Sequence, residues 1–462
     1  MNEIAAAIPD ESNTLSRSLR PRHVTMIAIG GIVGAGLFVG SSAAIAAAGP
    51  VIVFTYALTG LLVLLIMRML GEMAIAMPHV RSFTEFARVG LGNWAGFSVG
   101  WLYWYFWVIV VPVEAIAGAA IIEDWIALPT WQIGMALMAV MTAVNLLSAR
   151  AYGEFEFWFS SIKVTAIVAF ILVAAAHAFG FRSPTGPTFS NLVIHGGFAP
   201  HGLMAALAAV TTVIFSMMGA EIVTIAAVES PEPARAVARM SSSVIIRILI
   251  FYVGSILMVL CVVPWNLVVP GESPFTLALD TIHIPFASTI MAWIILTAVL
   301  SCLNSAFYVC SRVLFVLAGH GDAPRWLVKT NKRHVPSRSV LLASVAGFAG
   351  VFAAILSPSL VFAFLLNASG ALIVYIYLAI AVSQIRVRKR NERQGKPSSA
   401  LPMWLFPWLS YFAIAGMLAV LIAMAITPSH VSEFWTSAVS VAIALAAYGV
   451  VKRSRQHAAS FR

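Results

Sequence analysis

Apolar residues in this chain come in long blocks, without the every-second-residue alternation of barrel strands. Twelve blocks approach or exceed the roughly 20 residues that a bilayer-crossing helix needs. They fall at 24–48, 51–71, 95–122, 131–149, 155–179, 202–228, 243–264, 286–316, 339–356, 360–384, 402–427 and 432–451. The pattern predicts an all-α membrane protein with twelve transmembrane helices. Composition excludes the soluble alternative: 61% of the 462 residues are hydrophobic and 10% are charged, where soluble domains run near half and a quarter. A soluble fold has nowhere to put so much apolar surface. Twelve spans leave enough chain for short loops and tails, but not for a further soluble domain.

Charge orients the bundle. With the N-terminus assigned to the cytoplasm, all of the 28 Lys and Arg residues fall at inner segments except Arg182 and Lys163, which lies within a span. Such asymmetry is the positive-inside pattern, and dropping one span would scramble it. It also explains the net charge of +10 better than nucleic-acid binding does. The expected organisation is a cytoplasmic tail at 1–22, a transport core at 23–384, a basic cytoplasmic loop at 385–401, two accessory helices at 402–451 and a cytoplasmic tail at 452–462. The N-terminal tail carries Glu3, Asp10 and Glu11 and lacks the basic start and short apolar core of a signal peptide. Pro231 and Pro233 are expected to stop the sixth span. The largest outer loop, near 265–285, carries Glu272 and Asp280 and no base. Cys261, Cys302 and Cys310 are odd in number and lie in apolar stretches, with no disulfide or metal spacing.

Two spans carry residues that weaken a helix. The first has Gly30, Gly31, Gly34, Gly36 and Gly40, which reads either as close small-residue packing or as an unwound segment with free backbone groups. The sixth reads Phe215-Ser216-Met217-Met218-Gly219-Ala220-Glu221, with glycine and glutamate near its centre. Five helices separate the two positions. Paired interruptions in two halves point to an inverted-repeat transporter, with its site near the membrane midplane, and this favours the unwound reading of 30–40.

Three charged residues are deep: Glu114, Lys163 and Glu221. A charge near the bilayer centre costs at least ~2.5 kcal/mol. Lys163 stands eight residues beyond Phe155, about 12 Å along a helix axis, too deep for easy snorkelling. Each has a functional reading and a bland one: a helix-locking ion pair for Lys163, a carboxyl stabilising the broken helix for Glu221, and relief of polar groups freed by Pro112 for Glu114. Ser301 and Ser305, one turn apart on the eighth span, read equally as interhelical hydrogen bonds or as groups facing an ion or proton site. Trp101, Trp104 and Trp107 read as packing or interface residues. No nucleotide-binding, Walker or histidine–metal spacing is present, and no nucleophile, base and orienting group converge. The expectation is no enzyme, no cofactor and no metal site.

The chain resembles the amino acid–polyamine–organocation superfamily, in its bacterial amino acid transporter branch. The resemblance runs from about Leu19 to the last span. It is carried by Arg22-His23-Val24-Thr25-Met26, Gly34-Ala35-Gly36-Leu37-Phe38-Val39-Gly40-Ser41, Met67-Arg68-Met69-Leu70-Gly71-Glu72-Met73, Tyr152-Gly153-Glu154-Phe155-Glu156-Phe157-Trp158 and Gly219-Ala220-Glu221-Ile222-Val223. Within the branch, Val223-Thr224-Ile225-Ala226-Ala227, Ser301-Cys302-Leu303-Asn304-Ser305-Ala306 and Ile380-Ala381-Val382-Ser383-Gln384 are most similar to 4-aminobutyrate (GABA) permeases.

The resemblance implies a five-plus-five inverted-repeat, LeuT-like fold with two extra helices, in a bacterial inner membrane. It implies a substrate carboxylate on free amides at Ile32, Val33, Gly34, Ala35 and Gly36, and an ammonium facing carbonyls at Phe215, Ser216, Met217 and Gly219. Glu114 and Cys302 complete the expected substrate set. Lys163 matches the fifth-span lysine that replaces a sodium ion in proton-coupled relatives. With Glu221, Ser301 and Ser305 it forms the expected proton-coupling set. The function implied is import of a small zwitterionic amino acid, GABA or a similar ω-amino acid, by proton symport. The rivals are an α-amino acid permease for proline or aromatics, an exchanger, and a membrane amino acid sensor. Expected partners are the amino acid, a proton and membrane lipid, with no nucleic acid and no obligate protein partner.

Overall fold

The computed structural model describes residues 19–30, 33–78, 80, 82–181, 186–226, 248–353, 355, 371–396, 399–428 and 430–460. Among these, the regular structure is helical and no strand occurs. The first span is split into α1 (Pro21–Gly30), α2 (Ala35–Phe38) and α3 (Ser41–Ala48). Next come α4 (Ile52–Ala76), α5 (Phe83–Leu91), α6 (Asn93–Glu123), α7 (Thr130–Leu147) and α8 (Ala149–Ala178). The sixth span is split into α9 (Gly202–Ala208), α10 (Val210–Ser216) and α11 (Ile222–Ala226). The remainder is α12 (Ser255–Val262), α13 (Pro274–Thr281), α14 (Ala287–Gly319), α15 (Ser337–Ala353), α16 (Leu372–Arg393), α17 (Trp408–Ile426) and α18 (Val431–Ser460). Each of the twelve apolar blocks contains described helix. Among the described residues, seven stretches are long and apolar enough to cross a membrane, with shorter apolar helices at Gly202–Ser216, Ile248–Val262 and Ser337–Ala353. The expected stop at 230–233 lies outside the described residues.

Local chemistry starts these helices where the chain must turn. The Ser82 hydroxyl accepts from the Thr84 N–H at the head of α5, and Ser148 accepts from Ala151 N–H at the head of α8 (3.0 Å), satisfying N–H groups that lack an intrahelical acceptor. Burial then sorts the helices. The apolar window of α6 is 72% buried and that of the last span only 11%, so α6 is central and α18 faces lipid. α6 packs along α14; α8 packs on α14 and on α1.

Three boundaries differ from the sequence reading. The tenth span does not end near 384: α16 continues to Arg393, so most of the expected basic loop is helix. Helical register gives its charges partners, with Arg388 reaching Glu72 at 3.3 Å and Glu392 at 3.0 Å. α5 forms between the second and third spans, and α13 occupies part of the outer loop. Both are too short to register as spans.

The basic face of the bundle is tied together by charge. Arg88 of α5 pairs with Asp322 just beyond α14, and Arg455 of α18 reaches the same carboxylate at 2.8 Å. Beside them, His320 Nε2 lies 3.0 Å from Glu85 Oε1, and its Nδ1 lies 2.9 Å from the Val316 carbonyl. Both ring nitrogens face acceptors, which suits the doubly protonated ring. The Glu85 carboxylate, helped by the Val316 carbonyl, raises the His320 pKa above the ordinary histidine value against burial and Arg88. A raised folded-state pKa adds stability that is complete below the unfolded value and fades as pH rises through the folded one. Thermal stability is therefore expected to fall slightly, by less than about 1 kcal/mol for a partly exposed pair, as pH rises above the ordinary histidine range. His320→Gln should remove that step in a melting series; an unchanged step would assign it to another group.

Candidate functional site

The first break lies between α1 and α2. Gly34 is extended (φ −130°, ψ −162°) and hands the chain to the short helix α2, whose opening N–H groups have no turn behind them to bond. Val33, Gly34, Ala35 and Gly36 are described; Ile32 lies outside the described residues.

The sixth-span break runs from Met217 to Glu221 between α10 and α11. Gly219 has φ +107°, a backbone conformation open to glycine and strained for other residues. The break is stabilised by Glu221, fully buried. Its carboxylate accepts from Tyr103 Oη (3.1 Å) and Tyr377 Oη (2.9 Å). The Ser216 carbonyl, expected to be open, instead accepts from Tyr252 Oη at 2.7 Å.

The two breaks touch. A Cβ built on Gly36 would stand 2.9 Å from Ser216 Cα, so only glycine permits this approach. Beside the contact lies a cavity of about 30 Å³, walled by Gly34 and Gly36 of the first span and by Phe215, Ser216 and Met218 of the sixth. α6 contributes Phe106, Trp107, Val110 and Glu114, and α14 contributes Cys302. A water needs about 10–15 Å³ by this measure, so the walls are closed to less than an amino acid's size. Glu114 is buried, and its Oε2 has no hydrogen-bond partner among the described residues. A buried carboxylate oxygen left bare is costly and suits an incoming cation. Met217 and Gly219 are not among the cavity's lining residues.

A second cluster adjoins the first break. Lys163 is fully buried, and its Nζ donates to the Val33 carbonyl (2.9 Å) and to Ser301 Oγ (2.8 Å). A broken-helix carbonyl thus holds an ammonium directly. Ser301 in turn donates to Glu156 Oε1 at 2.6 Å, while Lys163 Nζ is 3.9 Å from the same oxygen. Ser305 reaches Glu156 Oε2 (3.3 Å) and the Tyr152 hydroxyl (3.2 Å).

The structure therefore brings Gly34, Gly36, Glu114, Phe215, Ser216 and Cys302 to one cavity, and Val33, Lys163, Ser301 and Ser305 to the adjoining cluster. Glu221 bonds to tyrosines and joins neither. Sequence reasoning missed Glu156, which it placed at a span's edge although it is fully buried. The available signal was spacing: Glu156, Ser160 and Lys163 share one face of α8 at i, i+4 and i+7, and Ser160 donates to Glu156 at 2.9 Å. Trp107, read as packing, does pack edge-on against Tyr103 and Phe106 and also walls the cavity.

Paired broken helices around a mid-bundle cavity, with a buried lysine on a helix-break carbonyl, define a multi-pass membrane transporter of the inverted-repeat class. Consistent with that fold, the Eremococcus coleocola manganese transporter, solved in complex with an aromatic bis-isothiourea substituted compound, superposes with a TM-score of 0.59 at 12% identity. That match covers 96% of this chain and 95% of that one. The family model for amino acid permeases matches residues 23–455: the chain belongs to the amino acid permease family. It is 46% identical to the gamma-aminobutyric acid permease of Bacillus subtilis, over 96% of this chain and 94% of that protein. It is 47% identical to a probable GABA permease of Pseudomonas aeruginosa, over 94% and 92%.

Proposed function

We propose that this permease imports a short ω-amino acid, with GABA as the leading substrate, together with a proton. The observation that carries the reading is the bare Glu114 Oε2 in a cavity bounded by both helix breaks. In this reading the substrate carboxylate lies on the amides opening α2, and the ammonium lies toward Glu114 and the sixth-span break. The relatives' names support GABA. The basic face is the cytoplasmic one, with both termini on it, as the positive-inside rule implies. Because the cavity is closed to about 30 Å³, substrate entry requires its lining side chains to move apart.

Lys163 carries the coupling proton. Desolvation favours its neutral amine, while the Val33 carbonyl and Glu156 favour its ammonium. Opening the site to one side or the other changes the balance, so alternating access loads and unloads a proton.

The test is labelled GABA uptake into proteoliposomes, competed by glycine, β-alanine, GABA, 5-aminovalerate, proline and phenylalanine. GABA is expected to compete best and its nearest length neighbours next, because the site measures charge separation. Equal or stronger inhibition by phenylalanine or proline would assign the site to α-amino acids.

A further inference from the structure

Below Lys163, the side chains continue as an unbroken series of proton-bearing groups toward the basic face. Lys163 Nζ donates to Ser301 Oγ (2.8 Å), which donates to Glu156 Oε1 (2.6 Å). Ser305 links Glu156 Oε2 (3.3 Å) to the Tyr152 hydroxyl (3.2 Å). Positions 163, 156 and 152 descend α8 toward its start at Ala149, while 301 and 305 descend α14 toward its end at Gly319. From 163 to 152 the series covers about 16 Å of helix axis. All five side chains are buried.

We propose that this series is the route by which the coupling proton leaves Lys163 for the cytoplasm, with Glu156 as its intermediate acceptor. The inference rests on the reading of Lys163 as the proton carrier. A helix-locking ion pair would put carboxylate and ammonium in direct contact, near 2.7–2.9 Å in such bonds. Here they stand 3.9 Å apart with a serine hydroxyl between them, a weak lock and a good relay.

The proton accounting closes at each step. The ammonium of Lys163 gives one proton to Ser301 Oγ as the Ser301 hydroxyl proton passes to Glu156 Oε1. Lysine and glutamate are left neutral and the serine is intact. After the carboxyl turns, Glu156 gives its proton to Ser305 Oγ, the Ser305 proton moves to Tyr152 Oη, and the Tyr152 proton passes to cytoplasmic water when that side of the bundle opens. Neutral and ionic forms of the Lys163–Glu156 pair have the same total charge, so the first transfer neutralises both ions and leaves the charge of the pair unchanged. Besides Glu156, the charge on Lys163 interacts with Glu114 and Cys302. At the far end, the Tyr152 ring stacks on Tyr308 with centroids 3.9 Å apart, and Arg312 lies 4.0 Å over that ring.

The test compares pH-gradient-driven accumulation with equal-pH exchange for the full chain in proteoliposomes, using labelled GABA. Glu156→Gln keeps the shape and loses the acceptor; Tyr152→Phe keeps the ring stack and loses the hydroxyl. Both are expected to lower the ratio of accumulation to exchange by about tenfold or more, the low side of what a positioned proton-transfer group supplies. A merely structural Glu156 would lower both activities together and leave the ratio unchanged, which overturns the proposal. Wild-type ratios in both variants, with accumulation lost in Lys163→Ala, reject the route and keep Lys163 as carrier. Accumulation surviving in Lys163→Ala removes the carrier and the route with it. If Glu156→Gln does not insert, Tyr152→Phe and Ser305→Ala decide: wild-type ratios in both overturn the route.

Discussion

Lys163→Ala is expected to abolish uphill accumulation of substrate in response to a pH gradient, while exchange at equal pH persists. The alanine leaves the Val33 carbonyl and Ser301 hydroxyl without the ammonium they hold at 2.9 and 2.8 Å, and nothing else described at that spot carries a positive charge. Lys163→Arg should not restore coupling, because a guanidinium does not deprotonate in proteins. Proteoliposomes with an imposed gradient, and with insertion checked by chromatography, distinguish the two activities. An alanine variant that inserts normally and still accumulates substrate uphill would reduce Lys163 to a structural role and move coupling elsewhere.

Gly36→Ala should be nearly as damaging, by a different cause. Its methyl group would stand 2.9 Å from the Cα and 3.1 Å from the Cβ of Ser216, a clash with backbone that no rotamer relieves. The Ser216 carbonyl is itself held by Tyr252, so α10 cannot easily retreat. Overpacking of this kind costs about 1–3 kcal/mol, and a site displaced by about 1 Å loses on the order of 10²-fold in rate. Gly34→Ala is the control: its Cβ would sit 3.5 Å from Cys302, an ordinary contact. That variant should fold and insert, with a raised apparent KM because the methyl group occupies cavity space. Uptake kinetics and melting temperature of the pair test the difference. Equal behaviour of the two variants would mean that the breaks do not depend on their contact at Gly36.

The parts of this molecule that could be read from sequence are those that violate the rules of a membrane helix. Glycines at 34, 36 and 219 and the charges at 114, 163 and 221 stood out against an apolar background, and the structure puts irregular backbone at Gly34 and Gly219, a close approach to Ser216 at Gly36, and full burial at Lys163 and Glu221. Residues that obey the rules were silent. Tyr103 and Tyr377 look like ordinary span aromatics, yet their hydroxyls hold Glu221. Tyr252 looks the same and occupies a carbonyl expected to be open. Glu156 was hidden for the opposite reason: near the edge of an apolar block a glutamate is unremarkable, and only the extension of α8 back to Ala149 puts it inside the bundle. α5 escaped because a short amphipathic helix between spans leaves no hydropathy signal. Its Glu85 and Arg88, i and i+3 on one face, meet His320 and Asp322 when the end of α14 is brought beside them. Partner choice across distant segments is a property of packing, and no local pattern contains it.

The most direct test of the account is accumulation of labelled GABA by the reconstituted wild-type protein, with and without an inward proton gradient. Transport through the site between the two breaks, coupled at Lys163, predicts accumulation above the equilibrium level when the outside is acid, collapse of that accumulation when a protonophore is added, and only equilibration at equal pH. Uptake that equilibrates to the same level with and without the gradient would contradict coupling, and no GABA uptake at all would contradict the assignment of the site.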